Sequence, residues 1–195
     1  MKVLLRSLGT ALLMSALLGL AYPLAVTGLA QVLFPGPANG SLVLNNGKPV
    51  GSELIGQDWS KSPAWFQGRP SATGDHAYNP LASGGSNLSP HGKGYSDRVT
   101  GDLKTWQDRA RAAGQNQPVP QALLTTSGSG LDPHLDLDAA LWQVPLVARA
   151  RGVDAAQIET VVRRHIVPTG WPWDPNPYVD VLDVNLDLDR STAKP

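Results

Sequence analysis

The chain has no cysteine and few charged residues. Without cysteine, disulfide bonds, thiolate metal sites and a lipid-modified cysteine anchor are excluded. Charged residues make up 16% of the sequence, against about 25% in an average soluble protein, and the formal net charge is zero. No cluster of lysines and arginines forms the basic patch that binds nucleic acid or anionic lipid. We therefore expect no nucleic-acid partner.

Several catalytic signatures are also missing. The pairs Gly47-Lys48 and Gly92-Lys93 are followed by Pro and Gly, whereas a phosphate-binding loop has Ser or Thr after its lysine. Neither Gly-x-Gly-x-x-Gly nor Asp-Lys-Thr-Gly occurs, so this chain cannot itself form the aspartyl phosphate of a P-type pump. We predict no catalytic residues and no metal site, because the four histidines share no ligand spacing. They are His76, His91, His134 and His165.

A long apolar segment near the N-terminus predicts a transmembrane helix. No charged residue occurs in residues 7–47. The apolar part of this run, residues 8–34, spans 27 residues, whereas roughly 20 suffice to cross a bilayer. We therefore divide the chain into residues 1–34, the N-terminus with the transmembrane helix, and residues 35–195, one folded domain.

The charges beside the apolar segment predict its orientation. Lys2 and Arg6 precede it, and positively charged flanks stay on the cytoplasmic side of a membrane. The N-terminus would then be cytoplasmic and the domain extracytoplasmic, in a single-pass protein of the cell (inner) membrane. The alternative is a signal peptide cleaved at Gly28-Leu29-Ala30, which would export the same domain without its anchor.

Small residues in the apolar segment are spaced for helix packing. Ser15 and Gly19 are four residues apart, as are Ala21 and Ala25, and this spacing lets two helices approach closely in lipid. Pro23 is expected to kink the helix and to free a backbone carbonyl. The residues predicted to pack against a partner helix are Ser15, Gly19, Ala21, Tyr22, Pro23 and Ala25.

The remaining sequence predicts an α+β domain with a small sheet. Asn45-Asn46-Gly47 lies between two short apolar stretches, which is typical of a β-hairpin. Helical periodicity appears over residues 96–113 and 136–151, although Pro145 should kink or split the second helix. The sequence shows no internal repeat.

Capping and loop signals complete the helical part. Asp154 and Gln157 predict the N-terminus of a third helix, which ends near His165. Residues 56–95 are rich in Gly, Pro, Ser and Asn and have little periodicity, which predicts a long loop that is functional or packed against something. Residues 171–178 contain three prolines and are predicted to be an extended loop.

Alternation near the C-terminus predicts a β-strand. Over residues 184–189 apolar and polar residues alternate, so the apolar ones would face the core and the polar ones, including Asn185, would face solvent. A change of phase upstream predicts a bulge near Leu182-Asp183, and residues 123–126 are a second predicted strand. The aspartates interpreted as a solvent-facing row rather than a calcium site are Asp183, Asp187 and Asp189.

Short strings spread over about 170 residues resemble a single family. They are Tyr22-Pro23-Leu24, Ala38-Asn39-Gly40-Ser41-Leu42, Gly51-Ser52, Leu54-Ile55-Gly56-Gln57, residues 68–72, Tyr78-Asn79-Pro80, residues 82–88, residues 127–134, Trp142-Gln143, residues 147–151 and Asn185-Leu186. No single string is specific, but their order and spacing resemble the C subunit of the Kdp-type potassium-transporting P-type ATPase.

The resemblance implies a non-catalytic accessory subunit of a high-affinity, ATP-driven potassium uptake pump. Its partners would be the ATP-hydrolysing subunit, which carries the aspartyl-phosphate site, and the potassium-translocating subunit. The chain would be needed for assembly and stability of the complex. The family is also described as a catalytic chaperone that raises the ATP affinity of the pump subunit, so ATP enters as a family implication, and no firmly bound cofactor is expected.

The loops that carry the resemblance supply the candidate site residues. We interpret them as interface or nucleotide-related residues, although a nucleotide role would require a cytoplasmic domain, contrary to the predicted orientation. The candidates are Arg69, Ser71, Asn79, Ser83, Gly84, Gly85, Ser86, Asn87, Ser127, Ser129, Asp132 and Gln143.

The alternative function is a secreted or periplasmic enzyme or binding protein released by signal-peptide cleavage. Its site would be Ser127, Ser129 and His134, because a serine nucleophile needs a neighbouring base. The order of these serines and glycines does not match the Gly-x-Ser-x-Gly nucleophile elbow.

Overall fold

The computed structural model describes residues 1–170 and 176–192. The chain forms two compact units, Met1–Ser52 and Glu53–Pro195. About 53% of the described residues are helical, and their strands form one two-stranded and one three-stranded antiparallel sheet. The predicted α+β class is therefore confirmed.

A helix with one π turn occupies most of the first unit. α1 (Lys2–Ala16) continues through the π turn, Leu17–Ala21, into α2 (Tyr22–Leu33). The Tyr22 N–H donates to the carbonyl of Leu17, five residues back, and Pro23 in the next position has no N–H to donate. The disturbance expected at Pro23 therefore takes the form of this wide turn.

This helix is long and apolar enough to cross a membrane. It spans 32 residues, Lys2–Leu33, or about 48 Å at 1.5 Å per residue, which exceeds the ~30 Å hydrocarbon core of a bilayer. None of its residues is buried. The helix ends at Phe34, and Pro35-Gly36-Pro37 begins the short α3 (Pro35–Ala38). The predicted N-terminal apolar helix is confirmed.

A β-hairpin follows in the same unit. β1 (Leu42–Asn45) pairs antiparallel with β2 (Lys48–Ser52). The connecting residues Asn46 and Gly47 have φ of +51° and +75°, as a two-residue type I′ turn requires, which confirms the predicted hairpin. Residues 35–52 group with the helix, so the compact units divide later than the boundary drawn from hydropathy after residue 34.

In its described residues, the second unit combines four α-helices with a three-stranded antiparallel sheet. The helices are α4 (Lys93–Ala112), α5 (Leu137–Arg151), α6 (Ala155–Arg164) and α7 (Val181–Thr192). The strands are β3 (His134–Asp136), β4 (Ile166–Val167) and β5 (Tyr178–Asp180), in the order β3-β5-β4. Short 3₁₀ turns occur at Pro80–Ala82 and Gln121–Leu123.

The core of this unit is formed mainly by the helices. Trp106 of α4 and Trp142 of α5 pack edge to face, with 5.9 Å between ring centroids. Ile158 and Val162 of α6 and Leu188 of α7 are fully buried beside them in one hydrophobic cluster. The three helices predicted from periodicity and capping are present, and Pro145 lies inside α5 without splitting it.

The predicted C-terminal strand is wrong, because residues 181–192 form α7. The Asp180 Oδ1 accepts hydrogen bonds from the N–H groups of Leu182 and Asp183 at 2.8 and 3.2 Å, which is how an N-cap starts a helix. The partly exposed Asp183 and Asp187 are four residues apart, as in a helix, but the strict alternation over residues 184–189 imitates a strand within this short run. Asn185, expected to face solvent, is fully buried.

The structure also corrects two other predictions, the strand at residues 123–126 and the row of aspartates on the C-terminal strand. Residues 123–126 form no strand; Leu123 ends a 3₁₀ turn, and its carbonyl accepts the indole N–H of Trp106 at 3.2 Å. The aspartates assigned to a strand lie on α7, where Asp187 is 3.1 Å from the Nε2 of His165. Residues 171–175 of the predicted extended loop lie outside the described residues, and Tyr178 begins β5.

Candidate functional site

Two loop segments, residues 69–88 and 125–134, carry most of the candidate residues; we call them the loop platform. Arg69 joins the two segments. Its Nη1 lies 3.3 Å from Asp132 Oδ2, while its Nε and Nη2 donate to the carbonyls of Thr125 and Thr126 at 3.4 and 3.2 Å. Because one guanidinium satisfies three acceptors on the other segment, Arg69 acts as a clamp within the platform.

Two hydroxyl groups hold the first segment in shape. Ser71 Oγ donates to the carbonyl of Gly130 at 2.7 Å and accepts the Tyr78 N–H at 2.9 Å. Thr73 is buried, and its Oγ1 accepts the Asn79 N–H at 2.8 Å. Each hydroxyl thus replaces a backbone partner that loops otherwise lack.

Tyr78 packs at the centre of the first segment. Its hydroxyl donates to the carbonyl of Arg69 at 2.6 Å, and burial, reinforced by the negative charge of Asp132, raises the pKa of the phenol. The phenol therefore stays protonated and keeps this hydrogen bond at neutral pH. A side chain at Gly56 would collide with the Tyr78 ring and with the Asp132 carbonyl, so glycine is required there.

Residues 83–87 lie along the second segment. The Gly84 N–H and the Ser83 hydroxyl both donate to the carbonyl of Ser129, at 2.8 and 3.0 Å. Gly130 has φ of +67°, and the Gly84 carbonyl lies 2.6 Å from where its Cβ would be, so only glycine fits. The Gly84 N–H is therefore already engaged and does not point into an empty anion site.

The residues of the alternative hydrolase site have other partners. Ser127 Oγ and Ser129 Oγ are 3.4 Å apart and pair with each other. His134 Nδ1 is 3.7 Å from Asp132 Oδ1, and its ring packs on Tyr178 at 4.4 Å between centroids. Among residues 1–170 and 176–192, no three His, Cys, Asp or Glu side chains are placed to hold a metal ion.

Two stretches in and beside the platform contain no charged side chain. Residues 79–90 and 119–131 contain no Asp, Glu, Lys or Arg. Leu81 is 94% exposed on the 3₁₀ turn Pro80–Ala82, and Asn79 Oδ1 fixes that turn by accepting the Leu81 N–H at 3.0 Å. An uncharged surface with two exposed leucines, Leu81 and Leu88, has the composition of an interface core, where charged residues are depleted.

Comparison with known proteins identifies the family. The family model KdpC, described as the c chain of the K⁺-transporting ATPase, matches residues 4–190. The chain belongs to the KdpC family. Potassium-transporting ATPase KdpC subunits of Variovorax paradoxus and Pectobacterium atrosepticum are 48% and 44% identical to it, over 93% and 100% of this chain and 92% and 100% of theirs. One from Pseudomonas putida is 46% identical over 94% of each chain. The resemblance seen in the sequence is confirmed.

In the interior of this KdpC family member, two buried side-chain amides form hydrogen bonds with the backbone. The Gln143 side chain accepts the Gln67 N–H and donates to the Gln67 carbonyl, both at 3.0 Å. Asn185 makes the same pair with Phe66 at 2.9 Å. Gln143, a candidate interface residue, is therefore buried in the interior. Asn185 was missed as a structural residue because the predicted strand turned it outward; its only signal was its place in the Asn185-Leu186 string.

The six residues predicted to pack on a partner helix surround the π turn. None of their side chains is buried within the first unit, and a side chain built on Gly19 would meet open space. Partner packing at these residues stays a prediction. Ser15 lies in α1, Gly19 and Ala21 in the π turn, and Tyr22, Pro23 and Ala25 in α2.

Proposed function

We propose that this chain is a non-catalytic, membrane-anchored subunit that stabilises a potassium-transporting ATPase complex. Family membership gives the complex, and the loop platform supports the role within it. Its polar side chains are used to hold two loops in a fixed shape, and the uncharged stretch at residues 79–88 presents the exposed Leu81 and Leu88. Such a surface suits permanent contact with another protein better than bond-breaking chemistry.

The proposal gives the chain two attachment points. The apolar helix would pack in the membrane against the potassium-translocating subunit through the small residues around Gly19. The platform would contact the outer surface of a partner subunit, in line with the extracytoplasmic orientation predicted from Lys2 and Arg6. Holding two places on its partners would let a small chain restrain their relative movement without any chemistry of its own.

A strain that lacks this chain tests the proposal. We expect it to fail to grow when potassium is limiting, and a tag on the potassium-translocating subunit should no longer recover the ATP-hydrolysing subunit from membranes. Re-expression of the wild-type chain should restore both. Normal growth together with normal recovery would refute the assembly role.

Leu81→Asp tests the platform separately. A charge at the centre of an uncharged contact should reduce recovery of the chain with its partners by roughly tenfold, because a buried unpaired charge is costly. The matched control is Ala155→Asp, an exposed residue in the first turn of α6, where an acidic side chain is favourable. Equal recovery of both variants would place the contact elsewhere.

We propose that the effect on ATP affinity implied by the family is exerted through partner contacts, not through ATP binding to this chain. Arg69 and the Gly84 N–H, the groups most suited to phosphate, already have internal partners. Titration of the full chain in lipid nanodiscs with ATP should show no saturable binding. Binding to the isolated chain that is lost in Arg69→Gln would contradict this.

A further inference from the structure

An apolar cleft of about 270 Å³ lies between α4 and α5 in the second unit. None of the loop-platform residues lines it. Its walls include the buried Trp106, Leu146 and Val147 and the partly buried Trp65, with Pro63 at the edge. The cleft therefore offers an aromatic and aliphatic surface that is open to solvent.

The polar residues that line this cleft are two glutamines and two arginines. Gln143 and Gln67 line it, and the Gln143 side-chain amide is already bonded to the Gln67 N–H and carbonyl. Arg109 of α4 and Arg149 of α5 also line it, and no acidic side chain of residues 1–170 and 176–192 does. Arg109 stacks on the Trp106 ring at 5.2 Å from its centroid.

The two arginines differ from three others on α4 and α6. Arg98 and Arg111 of α4 and Arg163 of α6 each pair with a carboxylate of their own helix. In the part of the chain that the structure describes, neither Arg109 nor Arg149 has such a partner. One arginine from each helix thus lines the apolar cleft, and neither is neutralised by a carboxylate of its own helix.

We propose that this cleft binds an amphipathic anion, a carboxylate or a phosphate, with its apolar body between Trp65, Trp106 and Leu146 and its anionic group on Arg109 and Arg149. The volume is room for about nine water-sized groups at ~30 Å³ each, which suits an aryl or alkyl body of about eight carbon atoms. Guanidinium groups bind carboxylates and phosphates with paired, charge-assisted hydrogen bonds. This site is independent of the role proposed for the loop platform.

Two sources could supply this chemistry, a free carboxylate or the anionic end of a lipid. The probe for the first is 3-phenylpropanoate, added to the full chain in phosphatidylcholine nanodiscs. The readout is the indole N–H NMR signals of Trp65 and Trp106, assigned with Trp→Phe variants. Nanodiscs that contain phosphatidylglycerol test the second source, because a lipid in the cleft would shift the same signals and compete with the probe.

The expected result is a saturable shift of both signals, at least threefold weaker binding of 3-phenylpropanol, and a loss of roughly three- to tenfold in affinity in Arg109→Gln and in Arg149→Gln. Arg111→Gln, on α4 but outside the cleft, should bind as wild type. Ala150→Phe should fill the cleft and abolish binding, whereas Ala155→Phe should not.

If phosphatidylglycerol competes with the probe, the natural ligand is a lipid. If it does not compete, the natural ligand is a soluble anion. Both results support the proposed chemistry. The proposal is overturned if no saturable shift occurs, or if the alcohol and the carboxylate bind equally. It is also overturned if Arg111→Gln weakens binding as much as the two cleft variants.

Discussion

At the residue scale, Asn185 and Gln143 each provide hydrogen-bond partners for one residue of the same buried backbone segment. The backbone around Phe66 and Gln67 runs through the interior without a strand beside it, so its N–H and carbonyl groups need other partners. One amide from α7 and one from α5 supply both a donor and an acceptor to these consecutive residues. An amide is the side chain that can match a peptide group in this way.

Replacing Asn185 should therefore destabilise the second unit strongly. Asn185→Leu keeps the approximate size but leaves the Phe66 N–H and carbonyl buried without partners, which should cost about 2–5 kcal/mol of unfolding free energy. Asn116→Leu, at an exposed position before Pro118, is the control and should change it by less than about 0.5 kcal/mol. Urea unfolding followed by tryptophan fluorescence measures both. Similar values would mean that the amide pair is not a main support of this unit.

Asp180 gives the fold a dependence on pH. Burial raises the pKa of its carboxyl from 3.8 to about 6, against the opposing effect of the Leu182 and Asp183 N–H groups. The folded chain then holds this proton more tightly than the unfolded chain. Its contribution to stability is present below about pH 4 and is lost as the pH rises through 6.

Asp180→Asn should remove this dependence. Asparagine cannot ionise but keeps an oxygen that can cap α7, so the variant should gain on wild type as the pH rises from 4 to 7. After allowance for solvent screening, we expect a relative gain of about 1–2 kcal/mol. Unfolding free energies at several pH values between 4 and 7.5 measure it. A constant difference between the two proteins would exclude Asp180 as the titrating group.

At the element scale, the sequence predicts correctly the features that neighbouring residues specify. It fails at α7, where a strand pattern and a helix pattern overlap. The Asn46-Gly47 turn, the Asp154 cap and the face of α4 depend on neighbouring residues, so the sequence alone reveals them. α7 is different because the alternation over residues 184–189 competed with its helical spacing, although Asp180 before Val181 was a usable N-cap signal. The Arg69–Asp132 pair joins residues 63 positions apart, and no pattern in the sequence announces such a contact.

The membrane helix allows a clean test of partner packing. Side chains built on Gly19 and Gly9 both meet open space in the isolated chain, so leucine at either position should leave the chain itself intact. Gly19→Leu should nevertheless reduce recovery of the chain with its partner subunits by about fivefold, equivalent to ~1 kcal/mol, since it would separate two closely packed helices. Gly9→Leu is the control, and co-purification from membranes is the measurement. Equal recovery of the two variants would mean that the small residues around Gly19 are not part of the interface.

At the scale of the whole molecule, the two attachment points require that the apolar helix stay on the mature chain and that the second unit lie outside the cytoplasm. Alkaline phosphatase, which is active only outside the cytoplasm, should therefore be active when fused after Pro195, and a green fluorescent protein fusion at the same point should be dark. The positive charges of Lys2 and Arg6 set this orientation, so changing both to Glu should lower the phosphatase activity severalfold.

The intact mass of the chain from membranes should include residues 1–30. A shortened chain in the soluble fraction would support signal cleavage instead, and a bright fluorescent fusion would reopen direct contact with ATP.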